Sequence, residues 1–88
     1  IIKEKVKFTK TDLQIFLEER NIQTRVIFTG NIIRQPAFKE IEKKVSKEGY
    51  PVADRVMARG FLLANHHGLT EAMIAHVHES VEIFIKKY

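Results

Sequence analysis

No cysteine and no tryptophan occur in these 88 residues, and glycine (4) and proline (2) are scarce. Without cysteine there is no disulfide and no thiolate metal or iron–sulfur site, so stability has to come from packing or from a partner. The few glycines are dispersed, which leaves no glycine-rich loop to cradle a phosphate. Long hydrophobic runs are missing too: none approaches the roughly 18 residues of a membrane span. No basic-then-apolar leader precedes a small-residue cleavage site. These absences predict a soluble, cytoplasmic single domain that does not meet a membrane. A chain of this length has one core and buries only about 60–65% of its unfolded surface.

What is present is ordinary for a globular protein, with 44% hydrophobic and 30% charged residues. Fifteen Lys and Arg against eleven Asp and Glu give a net charge of +4, which raises the possibility of a polyanionic partner. The cations, however, do not cluster. Lys3, Lys5, Lys7 and Lys10 alternate with other residues, and Lys39, Lys43, Lys44 and Lys47 sit beside Glu40, Glu42 and Glu48. That pattern is a solvated face rather than a nucleic-acid interface. The chain opens on Ile1 and Ile2 and runs straight into alternating sequence, the expectation for a piece cut from a longer protein.

Residues 1–7, "IIKEKVK", read as a strand end or extended entry. A first helix follows: Thr9 can cap it with Asp12 completing a capping box, Phe8 can staple against Leu13, and Leu13, Phe16 and Leu17 form one apolar stripe. Asn21 suits the left-handed residue that ends such a helix. "TRVIFTG" is β-branched and aromatic, a strand ended by Gly30. Pro36 fits the first turn of a second helix with Phe38, Ile41 and Val45 as its buried stripe. "SKEGYP" is a turn. Residues 52–59 form a short helix closed by Gly60, and "FLLAN" reads as a strand buried on both faces. Thr70 caps a last helix that buries Ile74, Val77, Val81, Phe84 and Tyr88. The predicted order is β-α-β-α-α-β-α. The fold class is α+β, a small three-stranded, mainly antiparallel sheet with helices on one face.

Little in this pattern supports catalysis. On a helix, residues two apart diverge by about 200°, so His76 and His78 cannot share a metal ion, and His66 and His67 point apart in extended chain. A nucleophilic triad has only Ser46 and Ser80 to draw on. The acidic pairs Glu18–Glu19 and Glu40/Glu42 lie on charged helix faces. One loop stands apart. "TGNIIRQPAF" sets Asn31, Arg34 and Gln35 between a strand and a helix, with Arg25 on the strand before it, a place where loops on a rigid scaffold meet ligands. The alternative is that the amides cap turns and the arginines form ion pairs.

At that loop the chain resembles a known family. "NIQTRVIFTGNIIRQPAF" followed by "ADRVMARGFLLANHHGLTEAMIAHV" is similar to the C-terminal small domain of DegT/StrS enzymes, which act on nucleotide sugars with pyridoxal phosphate. The "GNIIRQP" loop is more like the 4-keto-6-deoxyhexose 3-dehydratase branch of lipopolysaccharide biosynthesis than typical sugar aminotransferases, whereas "ANHHGLT" departs from the "YPGLT" common in those dehydratases.

The resemblance implies a homodimeric enzyme using pyridoxal or pyridoxamine phosphate. Its large domain, absent here, would hold the cofactor and the catalytic base, a lysine in aminotransferases and a histidine in dehydratases. It implies no catalytic, cofactor or metal residue in this piece, which would not turn over substrate alone. Asn31 would lie near the sugar and Arg34 near the diphosphate or sugar oxygens, with Arg25 the next candidate for substrate binding. Dehydratase and aminotransferase both remain open, and the rival from another class is a free-standing basic module that binds nucleic acid or protein.

Overall fold

The computed structural model describes residues 1–88. Helix α1 (Lys10–Glu19) begins at the expected cap. The Thr9 hydroxyl accepts from the Asp12 backbone N–H at 3.1 Å while the Asp12 carboxylate accepts from the Thr9 N–H at 2.8 Å. Two orphan donors of the first turn are thereby satisfied, and the Thr9 N–H and hydroxyl, both donating to the Asp12 carboxylate, hold that carboxyl below its ordinary value. Asn21, at φ +61, turns the chain out of the helix into Ile22 and strand β1 (Thr24–Val26).

Two single turns of 3₁₀ helix follow, Ile32–Arg34 and Pro36–Phe38. Helix α2 (Pro51–Arg59) opens with proline in its first turn and stops at Gly60, whose N–H reaches the Val56 carbonyl at 2.7 Å. Strand β2 (Phe61–Leu63) then pairs antiparallel with β1, Thr24 opposite Leu63, Arg25 opposite Leu62 and Val26 opposite Phe61. Helix α3 (Glu71–Ile85) is capped by the Thr70 hydroxyl, which accepts from Met73 N–H at 3.2 Å.

The core lies between α1 and α3. Leu13 and Leu17 of α1, Ile22 after it, Phe84 of α3 and Ile2 from the entry segment are buried together. Phe84 is the hub: Phe8 meets it edge-on with ring centroids 4.8 Å apart, and Tyr88 and Phe16 lie 5.1 and 5.2 Å away. Such pairs add attraction beyond the area they bury. A polar bracket crosses the same interface. Arg20 Nε donates to the fully buried Ser80 hydroxyl at 2.7 Å, Ser80 donates to the His76 carbonyl at 2.7 Å, and His76 Nε2 lies 2.9 Å from the Arg20 carbonyl.

The α+β class holds, but three expectations are corrected. The sheet has two strands, not three. Residues 1–7 alternate like a strand, yet their backbone partner is the end of α2: Ile2 N–H donates to the Arg59 carbonyl at 2.9 Å, and the Arg59 guanidinium donates to the carbonyls of Lys3 and Glu4. With those groups engaged by a helix end, no ladder forms.

The helix expected from Pro36 stops after one 3₁₀ turn, and residues 39–50 form no helix. Phe38, Ile41 and Val45 have the spacing of a buried stripe, but all three remain exposed because no element packs over them. Most helical stability comes from that packing rather than from propensity. Finally, β2 is short and its Leu62 and Leu63 are exposed rather than covered on both faces, and of the stripe expected to be buried on the last helix both ends, Ile74 and Tyr88, are exposed as well.

Candidate functional site

The loop between β1 and α2 is built on a tight turn. Phe28 is 87% exposed at φ +44, a backbone region a bulky residue seldom adopts. Gly30 follows at φ +67, and a Cβ there would fall 2.5 Å from the Met57 Cβ, so the loop crosses α2 at a point where only glycine fits. The Gln35 side-chain amide donates to the Thr29 carbonyl at 2.8 Å and ties the far end of the loop back to the turn.

Within this frame Asn31 and Arg34 come together on one carboxylate, that of Asp54 in the first turn of α2. Asn31 is 3% exposed. Its Oδ1 accepts from Ile33 N–H at 3.3 Å, capping the first 3₁₀ turn, and its Nδ2 donates to Asp54 Oδ1 at 2.9 Å. Arg34 donates from Nε to that same Oδ1 and from Nη2 to Oδ2 at 2.9 Å, a two-point grip that matches the planar fork to the carboxylate. The Arg34 hydrogen bonds and then the Asn31 hydrogen bond pull the Asp54 carboxyl down to about 2 from its ordinary 3.8, and the same partnership raises Arg34 above its usual value. The α2 N-terminus also favours a negative charge at this position.

Arg34 nevertheless stays open, its side chain 60% exposed against 34% for Asp54. Its Nη1 and the outer N–H of Nη2 have no protein partner, so the guanidinium keeps a free edge of parallel donors. An open hollow of about 550 Å³ beside the cluster is lined by Asp54, Arg55, Arg59, Glu4, Pro51 and Val52. This corner can grip an oxyanion or a sugar hydroxyl, and it has no nucleophile or base placed to break a bond.

Of the four loop and strand residues singled out from sequence, Asn31 and Arg34 share the cluster, and Gln35 braces the turn. Arg25 stands exposed on β1 opposite Leu62 and takes no part in the three ion pairs of the molecule. Sequence reasoning missed Asp54. The available signal was an acid in the first turn of a helix, but its partners lie 20 and 23 residues earlier in the chain. Two of the four histidines hold turns and ends: His66 Nδ1 accepts from Gly68 N–H at 3.0 Å, and His76 meets the end of α1.

Neither buried polar side chain is left free for the cofactor that the resemblance implies. The buried polar side chains are Asn31 and Ser80, and both are satisfied within the chain. A phosphate cup and an acid facing a ring nitrogen cannot be assembled from them.

Two curated relatives match nearly the whole chain. A dTDP-4-dehydro-2,6-dideoxy-D-glucose 3-dehydratase of Saccharopolyspora spinosa is 40% identical over 80 residues, 91% of this chain and 17% of its own length. The lipopolysaccharide biosynthesis protein RfbH of Salmonella typhimurium (strain LT2) is 35% identical over 83 residues, 94% of this chain and 19% of its own. The chain therefore spans less than a fifth of the curated relatives it matches. Residues 1–82 match a family profile across nearly all of the chain, and the protein belongs to the DegT/DnrJ/EryC1/StrS aminotransferase family.

Proposed function

We propose that these residues are the C-terminal small domain of an enzyme that acts on a nucleotide-activated 4-keto-6-deoxysugar with pyridoxal or pyridoxamine phosphate, and that the reaction is removal of the 3-hydroxyl. The observation that carries this reading is the free guanidinium edge of Arg34, in a chain 40% identical over 80 residues to a protein named as a 3-dehydratase of a dTDP-4-dehydro sugar. In this reading Arg34 contacts the diphosphate or a sugar oxygen, Arg25 adds a second cation from β1, and Asn31 shapes the loop from beneath. The cofactor would supply the electron sink when bound. The residues that hold it and the catalytic base belong to a large domain of the same chain, and two such chains make the enzyme. The small domain binds and orients one side of the substrate and keeps water from it.

Replacing the 3-hydroxyl by hydrogen releases water and consumes two electrons, so the test is turnover by the full-length protein loaded with pyridoxamine phosphate and given dTDP-4-dehydro-2,6-dideoxy-D-glucose together with a reductase that supplies two electrons. Mass spectrometry is expected to show a sugar that has lost the 3-hydroxyl. A product carrying a new amine at C4 would assign the aminotransferase outcome instead, and no conversion of any 4-keto nucleotide sugar would overturn the reading.

A further inference from the structure

We propose that Asp54 is a positioning residue for this corner, orienting Arg34 so that the outer edge of its guanidinium meets the diphosphate of a nucleotide sugar; the proposal rests on the substrate-side reading of Arg34. An exposed arginine held by nothing samples many rotamers and loses that freedom when a ligand binds. In this corner the loss is taken before binding. Asp54 sits on a helix rather than a loop, with its N–H donating to the Tyr50 carbonyl at 3.0 Å in the first turn of α2, so the carboxylate springs from hydrogen-bonded backbone. It engages Nε and Nη2 of Arg34 on one edge, which leaves Nη1 and the outer N–H of Nη2 as a parallel pair pointing away from the protein partner. That pair matches two oxygens of a phosphate in the way a lysine ammonium cannot.

The carboxylate also holds the buried amide of Asn31, whose own carbonyl caps the turn carrying Arg34. One side chain thus locks both the arginine and the backbone from which it springs. Because Arg34 and Asp54 together are formally neutral, recognition at this corner depends on the direction of the free donors more than on bulk charge. Preorganisation of this kind raises affinity without a new contact.

The experiment is a double-mutant cycle in the full-length enzyme with dTDP-4-dehydro-2,6-dideoxy-D-glucose as substrate, reading KM and kcat separately. Asp54→Asn is expected to raise KM about tenfold with a smaller fall in kcat, as a misdirected binding group does. In an Arg34→Ala background the same change should move KM by less than about twofold, because its effect passes through Arg34. Asp54→Glu, which keeps the charge, should recover part of the loss and carries the same cycle if Asp54→Asn does not accumulate as folded protein. A rise in KM for Arg34→Ala but none for Asp54→Asn would overturn the positioning role while leaving the substrate-side reading intact. An equal rise from the Asp54 change in both backgrounds would make Asp54 a general structural residue. No effect from either change would remove the substrate-side reading and this proposal together.

Discussion

At the scale of single residues, the chain places its few buried polar groups where each has a partner. Asp54 carries a pH signature. Its carboxyl titrates near 2 in the folded protein against an ordinary 3.8, so the unfolded chain binds the proton more readily and folding is favoured wherever the carboxylate is charged. That stabilisation is complete above pH 3.8 and is lost as the pH falls through about 2. The melting temperatures of the native protein and of Asp54→Asn should therefore differ at neutral pH and converge as the pH approaches 2; a constant gap over that window would remove the ion pair as its cause. Ser80 is the second residue of this kind. It accepts from Arg20 and donates to His76 across the α1–α3 interface, so Ser80→Ala leaves Arg20 without its buried acceptor. Urea unfolding should show a loss of about 1–2 kcal/mol.

These two residues also mark what the sequence can disclose. Thr9 with Asp12, Asn21 and Thr70 were legible because each acts on backbone within a few residues of itself, whereas Gly30, expected to end a strand that in fact stops at Val26, is needed where the loop crosses Met57 of α2. Asp54 was not, since its meaning depends on a loop that folds back over α2. Ser80 drew notice as a serine that could be a nucleophile, and only its burial against Arg20 reveals a structural role.

At the scale of elements, periodicity was a faithful guide where a partner surface exists and misleading where none does. The stripes of α1 and the C-terminal half of α3 face each other, with Leu13, Leu17 and Phe84 buried and Phe16, Val77 and Val81 partly buried beside them. Phe38, Ile41 and Val45 repeat at helical spacing in the same manner but look onto solvent, and the lysine- and glutamate-rich residues 39–50 stay irregular. Exposed chain without helix is the preferred site of proteolysis. Brief trypsin treatment of the 88-residue chain should cut first after Lys43, Lys44 or Lys47, leaving α1 and α3 intact. First cuts within α3 would show that the core, rather than this segment, is the looser part. The alternation of residues 1–7 misled for a related reason, because the Arg59 carbonyl and guanidinium supply the hydrogen bonds a neighbouring strand would have made.

At the scale of the whole molecule, the structure is flat and open, 49 × 31 × 18 Å with a radius of gyration of 16.2 Å, against roughly 12 Å for a compact domain of this length. Five buried hydrophobic residues form its core, and sixteen large hydrophobic residues are exposed, Val26, Phe28, Leu62 and Leu63 among them. No helix is long and apolar enough to cross a membrane. Under the proposed function, a large domain of the same chain covers part of this apolar surface. Phe84 carries much of what remains, touching three aromatic rings. Its replacement by alanine should cost about 3–5 kcal/mol, enough to unfold so small a core when the 88 residues are studied alone. Circular dichroism of that variant checks this; a thermal transition unchanged from the native sequence would mean that the core lies elsewhere.

Whether Arg34 faces substrate is decided by calorimetric binding of a dTDP-4-dehydro sugar to full-length enzyme with and without that side chain. Loss of a charge-assisted pair of hydrogen bonds on Arg34→Ala should weaken binding by about tenfold or more. Equal affinity of the two proteins would contradict the proposed function, because the corner that Asp54 and Asn31 hold in place would then be facing no substrate.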